Sequence, residues 1–101
     1  MSKERLKKKI REAIESDPNK DYFKSVSLFG SYLHGDQTRK SDIDLLVEFA
    51  KPLGFFEFAR IERELGERIG KKVDLVTKQC LSKYFRKNVL KQAEKIYAQR
   101  G

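Results

Sequence analysis

Residues Ile43 to Phe49, reading Ile-Asp-Leu-Leu-Val-Glu-Phe, form a nearly continuous apolar run with a carboxylate at its second position. A run of this length, closed by Pro52 and Gly54, has the character of a central β-strand. In extended chain, residues two apart point to the same face, with Cα atoms roughly 6.6 Å apart. Asp42 and Asp44 are therefore expected to project side by side while Ile43 points into a core. An unpaired carboxylate inside an apolar strand is costly, so Asp44 calls for a partner that a purely structural role does not supply.

The rest of the chain arranges itself around this strand. Leu6, Ile10, Ala13 and Ile14 recur at helical spacing between charged neighbours, predicting an amphipathic helix over 3–16 that Asp17-Pro18-Asn19 stops. Val26 to Phe29 reads as a short strand running directly into Gly30-Ser31. Phe58, Ile61, Leu65 and Ile69 give a second helical stripe, with Gly70 in C-cap position. Val73 to Thr77 reads as a third strand, and the pattern turns helical again from Ser82 to about Ala93. Ile96-Tyr97-Ala98 fits either a last helical turn or a short edge strand. The expected fold is α/β (α+β), a small mixed sheet of three or four strands flanked by helices, with 1–101 as one domain.

Composition bounds the function classes. The 23 Lys and Arg outnumber the 15 Asp and Glu by eight, a balance that attracts phosphate or an acidic partner. The basic residues concentrate in Lys3 to Arg11 and in Lys83 to Arg100, where solvated helix faces are the plain explanation. No apolar run approaches the roughly 20 residues needed to cross a bilayer, and the basic start lacks the apolar segment of a secretory leader. Cys80 is the only cysteine, which excludes an internal disulfide and a multi-cysteine zinc site. A cytoplasmic location without membrane contact is expected, and Cys80 is expected to be a buried, inert thiol.

The chemistry concentrates in two stretches, Gly30-Ser31 and Asp42-Ile43-Asp44. Adjacent carboxylates repel, and one is pushed toward protonation unless a cation sits between them. Hard divalent ions prefer such ligands, and Mg²⁺ is commonly held by one or two carboxylates plus substrate phosphates. Asp74, between Val73 and Leu75, supplies a third acid on a strand expected beside the first pair, and three carboxylates on one sheet face suit two-metal phosphoryl transfer. Gly30 lets a ligand approach the backbone and Ser31 adds a hydroxyl donor, although the pair alone also fits a plain turn with a serine N-cap. Arg39, Lys40 and Ser41 stand close enough in sequence to touch phosphate, although an ordinary exposed loop is the plainer explanation. Lys78, after the third strand, could face a leaving pyrophosphate, although a solvated lysine is the plainer explanation. Phe55, Phe56 and Phe58 read as core or interface.

Gly30-Ser31, ten residues, then Asp42-Ile43-Asp44 resembles the signature of the DNA-polymerase-β-like nucleotidyltransferases, and GSYLHGDQTRKSDIDLLV resembles their small branch, the minimal nucleotidyltransferases. That resemblance implies that Asp42 and Asp44 bind Mg²⁺, two ions in all. It implies that Asp74 completes the site and helps activate the attacking hydroxyl, and that Gly30 and Ser31 hold the triphosphate of ATP, with Ser41 beside them. The family commonly has an arginine four residues after the glycine, where this chain has His34, a residue mostly neutral at pH 7.

The implied activity is AMP transfer from ATP to a hydroxyl, with loss of pyrophosphate. The implied acceptor is a tyrosine of a partner HEPN-domain toxin, which would make this chain the antitoxin. The competing reading is a binding module that neutralises a partner protein or coats RNA through its basic helices. A transferase acting on a small molecule such as an aminoglycoside is a further alternative, though such relatives resemble longer chains. Self-association and the identity of the acceptor are left open by the residues.

Overall fold

The structure, a computed structural model, describes residues 3–30, 42–80 and 91–99. Among them, helix α1 spans Lys3–Glu15 and helix α2 Phe55–Ile69, and four strands, β1 Phe23–Phe29, β2 Ile43–Phe49, β3 Val73–Val76 and β4 Glu94–Ala98, form one sheet in the order β3-β2-β1-β4. β1 pairs antiparallel with both β2 and β4, and β2 pairs parallel with β3. A parallel pair needs a long crossover, and α2 supplies it.

Period two decides which side of the sheet meets the helices. Val26 and Leu28 of β1, Ile43, Leu45 and Val47 of β2, Val73 and Leu75 of β3, and Ile96 of β4 are buried in one cluster with Leu6, Ile10 and Ile14 of α1 and Ile61, Leu65 and Ile69 of α2. Fully burying each such side chain stabilises by about 1.5–3 kcal/mol. The intervening residues Asp44, Leu46 and Glu48 therefore face away from the helices, as does Asp74. A slip of β2 by one residue would carry Asp44 and Glu48 into the core, so the packing that stabilises the domain also fixes where Asp44 points.

Three details depart from or refine the expected elements. β1 begins at Phe23, three residues before the apolar run suggests, because Phe23 is buried and stacks at 5.6 Å on Phe49, with a register shift between Phe23 and Ser25 that breaks the alternation. The stretch Ile96 to Ala98 is a strand, and Ile96 is its buried residue. β3 ends at Val76, one residue earlier than expected. The helix expected over 82–93 falls mostly on 81–90, outside the described residues, as do Tyr84 and the side chain of Cys80.

α2 ends as its sequence predicts. Gly70 adopts φ +86° and donates to the carbonyl of Gly66 at 2.8 Å, a left-handed cap that favours glycine. Gly66 has a separate reason to lack a side chain: a Cβ there would come within 2.9 Å of the Lys71 carbonyl oxygen. The two glycines together turn the chain directly from α2 into β3. No helix among the described residues is long and apolar enough to cross a membrane.

Candidate active site

The register of three strands assembles the site. Phe29 of β1 lies opposite Asp44 of β2, and Asp44 lies opposite Asp74 of β3. Neighbouring strands run roughly 4.8 Å apart, so the backbones of Asp44 and Asp74 are immediate neighbours with side chains on the same face. Gly30 follows Phe29 and therefore arrives beside Asp44 from the other side. It adopts φ +81°, and a Cβ at that position would overlap Asp44 Oδ2 and come within 3.0 Å of its Cγ. Glycine is thus required here twice, by backbone conformation and by contact with the carboxylate.

Electrostatics mark Asp44 as the centre of the group. Burial raises its pKa above the ordinary carboxylate value, and the charges of Asp74 and then Asp42 raise it further. Asp42 sits just before β2, where Ile43 N–H donates to the Lys72 carbonyl at 2.9 Å. Lys72 Nζ stands 3.8 Å from Asp42 Oδ2, a half-exposed pair of modest strength. Among the described residues, the site thus holds three carboxylates with one cation at its margin, on a chain whose net charge is +8.

The backbone under Asp74 is held from behind. β3 is an edge strand, and the N–H of Leu75 donates to Glu62 Oε2 of α2 at 2.8 Å. A charge-assisted bond of this kind is about twice as strong as a neutral one. It fixes β3 against the helix and, through it, the position of Asp74. Glu62 and Lys72 escape sequence reading because their partners are backbone groups and loops distant in sequence. Gly66 carries only a weak signal, because an isolated glycine inside a helical stripe costs roughly 1 kcal/mol relative to alanine without naming the contact that requires it.

Asp42, Asp44, Asp74 and Gly30 are therefore neighbours, whereas Ser31, His34, Arg39, Lys40 and Ser41 lie outside the described residues. Among the described residues, no three acidic, imidazole or thiol side chains gather, as they stand, around the position of a single ion. The donor set is nevertheless all oxygen and anionic. That suits a hard divalent cation that shares its coordination shell with phosphate oxygens, and not one enclosed by protein ligands alone. Repulsion between the carboxylates is the force such a cation would relieve.

The family model described as polymerase beta, nucleotidyltransferase matches residues 8–100. A Methanocaldococcus jannaschii chain provisionally named a protein adenylyltransferase is 35% identical over 88 residues, covering 86% of this chain and 86% of that one. The protein adenylyltransferase MntA of Thermococcus cleftensis is 35% identical over 69 residues, 68% of this chain and 70% of the relative. Among solved structures, one provisionally described as a minimal nucleotidyltransferase superposes with a TM-score of 0.74 at 33% identity, over 92% of this chain and 94% of that one. A chain from a toxin–antitoxin crystal structure with AMP-PNP gives a TM-score of 0.71 at 27% identity, over 93% of this chain and 74% of that one.

Proposed function

The chain belongs to the polymerase beta nucleotidyltransferase family, in the company of protein adenylyltransferases, and we propose that it is a Mg²⁺-dependent enzyme that moves AMP from ATP to a tyrosine hydroxyl of a partner HEPN-domain toxin, acting in the cytoplasm as the antitoxin. The observation that carries this reading is the alignment of Gly30, Asp44 and Asp74 across three adjacent strands.

In the proposed reaction the acceptor oxygen attacks the α-phosphorus of ATP. The bond from that phosphorus to the bridging oxygen breaks, pyrophosphate leaves, and the hydroxyl proton passes to Asp74. Gly30, with Ser31 and Ser41, cradles the triphosphate. Asp42, Asp44 and Asp74 would hold two Mg²⁺ ions, which would supply positive charge at the α-phosphate and the leaving group. Asp44 contributes by position, since the fold holds its carboxylate against Gly30, beside the place proposed for the triphosphate.

The rival reading, a module that binds RNA through basic helices, loses part of its footing in α1. Lys3 and Lys7 bind Glu94 at 3.0 and 3.2 Å, and Arg11 Nε donates to the Ile96 carbonyl at 3.0 Å. Those three cations are engaged with β4. Support also comes from the relatives named for protein adenylylation and from the toxin–antitoxin structure with AMP-PNP. The test is the intact mass of a candidate HEPN-domain partner after incubation with this protein, ATP and Mg²⁺. Addition of AMP units to a tyrosine is expected, and an unchanged mass with wild-type protein would refute the proposal.

A further inference from the structure

The helical stripe of α2 overruns the core. Phe58 is half-buried and packs edge-on against Phe49 at 5.7 Å, but Phe55, one turn earlier, is 79% exposed and Phe56 is 86% exposed. Their rings meet each other at 5.8 Å in a T-shaped pair, so two large apolar groups are held together in water. A pair of this kind on a soluble domain marks a contact surface.

What covers it can be read from the adjoining groove. Phe55 forms part of the wall of an open cavity of about 1060 Å³ on the sheet face that carries the carboxylates. Leu46, on the same wall, follows Asp44 by two residues along β2, roughly 6.6 Å away. The groove therefore begins one step from the reacting centre and ends at the phenylalanine pair. Among the described residues, three lysines, Lys51, Lys78 and Lys95, line it against one glutamate, Glu48, and Lys24 stands 3.5 Å from that glutamate. The described lining of the groove is therefore net positive, while the described side chains of the neighbouring site are mostly carboxylates. A small ligand could fill part of the groove but would leave Phe56 in water, whereas a protein segment could cover both.

Resting on the AMP-transfer reading above, we infer that Phe55, Phe56 and this lysine-rimmed groove dock an acidic segment of the acceptor protein, one that carries apolar side chains, and lead its hydroxyl to Asp44 and Asp74. Aromatic anchors supply the contact area and the lysines select the charge. Discrimination between acceptors then lies in this surface and is separate from ATP binding.

The probe is a short fluorescein-labelled peptide in which glutamates alternate with leucines around one tyrosine, compared with a version in which lysines replace the glutamates. Fluorescence anisotropy with the whole chain should show saturable binding of the acidic peptide, at least about tenfold tighter than the basic one in low salt. Replacing Phe55→Ser and Phe56→Ser together should weaken it by about tenfold or more. The thermal shift produced by ATP with Mg²⁺ should persist in that variant, which also shows that it folds. Lys78→Glu with Lys95→Glu should weaken acidic-peptide binding and narrow the preference.

Absence of saturable binding, equal binding of both peptides, or indifference to the phenylalanine changes would overturn the inference. So would a phenylalanine-dependent dimer in analytical ultracentrifugation, or an RNA oligonucleotide that binds the patch where the acidic peptide does not. If the acidic peptide binds as expected while ATP and Mg²⁺ leave the melting curve unmoved, the docking face stands and the AMP-transfer reading falls. A clear ATP shift without peptide binding removes the docking face and leaves the nucleotide site standing.

Discussion

Asp44 is stable only by virtue of its surroundings, and its protonation records that. Its folded pKa lies above the unfolded value because burial and two neighbouring carboxylates disfavour the charged form. Between about 3.8 and the raised folded value, the native state therefore binds more protons than the unfolded chain, and stability falls as pH rises through that window. Asp44→Asn removes the penalty: the metal-free variant should melt at or above the wild-type temperature, with that part of the pH slope gone. Its AMP transfer should fall by at least about 10³, equivalent to roughly 4 kcal/mol of transition-state stabilisation. A folded Asp44→Asn protein with full transfer would end the two-metal proposal. Gly30 is constrained by the same carboxylate. Gly30→Ala places a side chain at φ +81° and into Asp44, which should cost about 1–2 kcal/mol of stability. Displacement of Asp44 should lower transfer by about 10² or more, a larger loss than the stability change alone explains. Melting curves beside transfer rates for the two variants decide both expectations.

At the scale of elements, the parts legible in the sequence were those whose pattern is local. β2 appears with its observed limits because it is a buried apolar run, and α2 with its cap because four apolar residues and Gly70 keep one period. β4 was ambiguous because its identity comes from its ladder with the distant β1, reinforced from still farther away: Arg11 takes the Ile96 carbonyl, and Lys3 and Lys7 take Glu94. The three acids were legible as a set, but the register that places Asp44 between Gly30 and Asp74 was not, since strand pairing is a property of the assembled sheet. Hydrogen bonds from Lys3 and then Lys7 lower the Glu94 pKa, so its stabilisation is present above about 4.5 and is lost as pH falls through the lowered folded value. In Glu94→Gln this acid-sensitive part should vanish, with a loss at neutral pH of at most about 1 kcal/mol, measurable by urea denaturation at several pH values. The loop after α1 should be far less tolerant. Asp17 reads from sequence as a helix stop, yet its carboxylate is fully buried, accepts from Asn19 N–H and Nδ2 at 2.7 and 3.1 Å, and lies 3.9 Å from Arg68 Nε of α2. Arg68→Met keeps the aliphatic stem and removes the countercharge, which should cost about 3 kcal/mol. A loss below about 1 kcal/mol would show that the Arg68 charge contributes little to holding Asp17.

For the whole molecule, the site is a junction where the end of β1 and the starts of β2 and β3 meet, so its occupant acts on the stability of the entire sheet. Free of ligand, the carboxylates of Asp42, Asp44 and Asp74 repel across that junction, and the core packing of Ile43, Leu45, Val73 and Leu75 holds them together regardless. ATP alone brings further negative charge to the same place, and Mg²⁺ alone arrives without the phosphate oxygens that would complete its shell. Each should therefore stabilise weakly, and the pair should stabilise by more than the sum of the separate shifts. A ligand at about 100 times its Kd adds roughly 2.7 kcal/mol, which for a domain of this size moves the melting temperature by about 10 °C. Differential scanning fluorimetry with ATP, with Mg²⁺ and with both measures the synergy, and Asp44→Asn and Asp74→Asn test its origin. Both variants should lose the synergy while melting normally without ligand, because the charge they remove is what makes metal and nucleotide depend on each other. Shifts that merely add, or a synergy that survives in both variants, would place the nucleotide somewhere other than the junction of β1, β2 and β3.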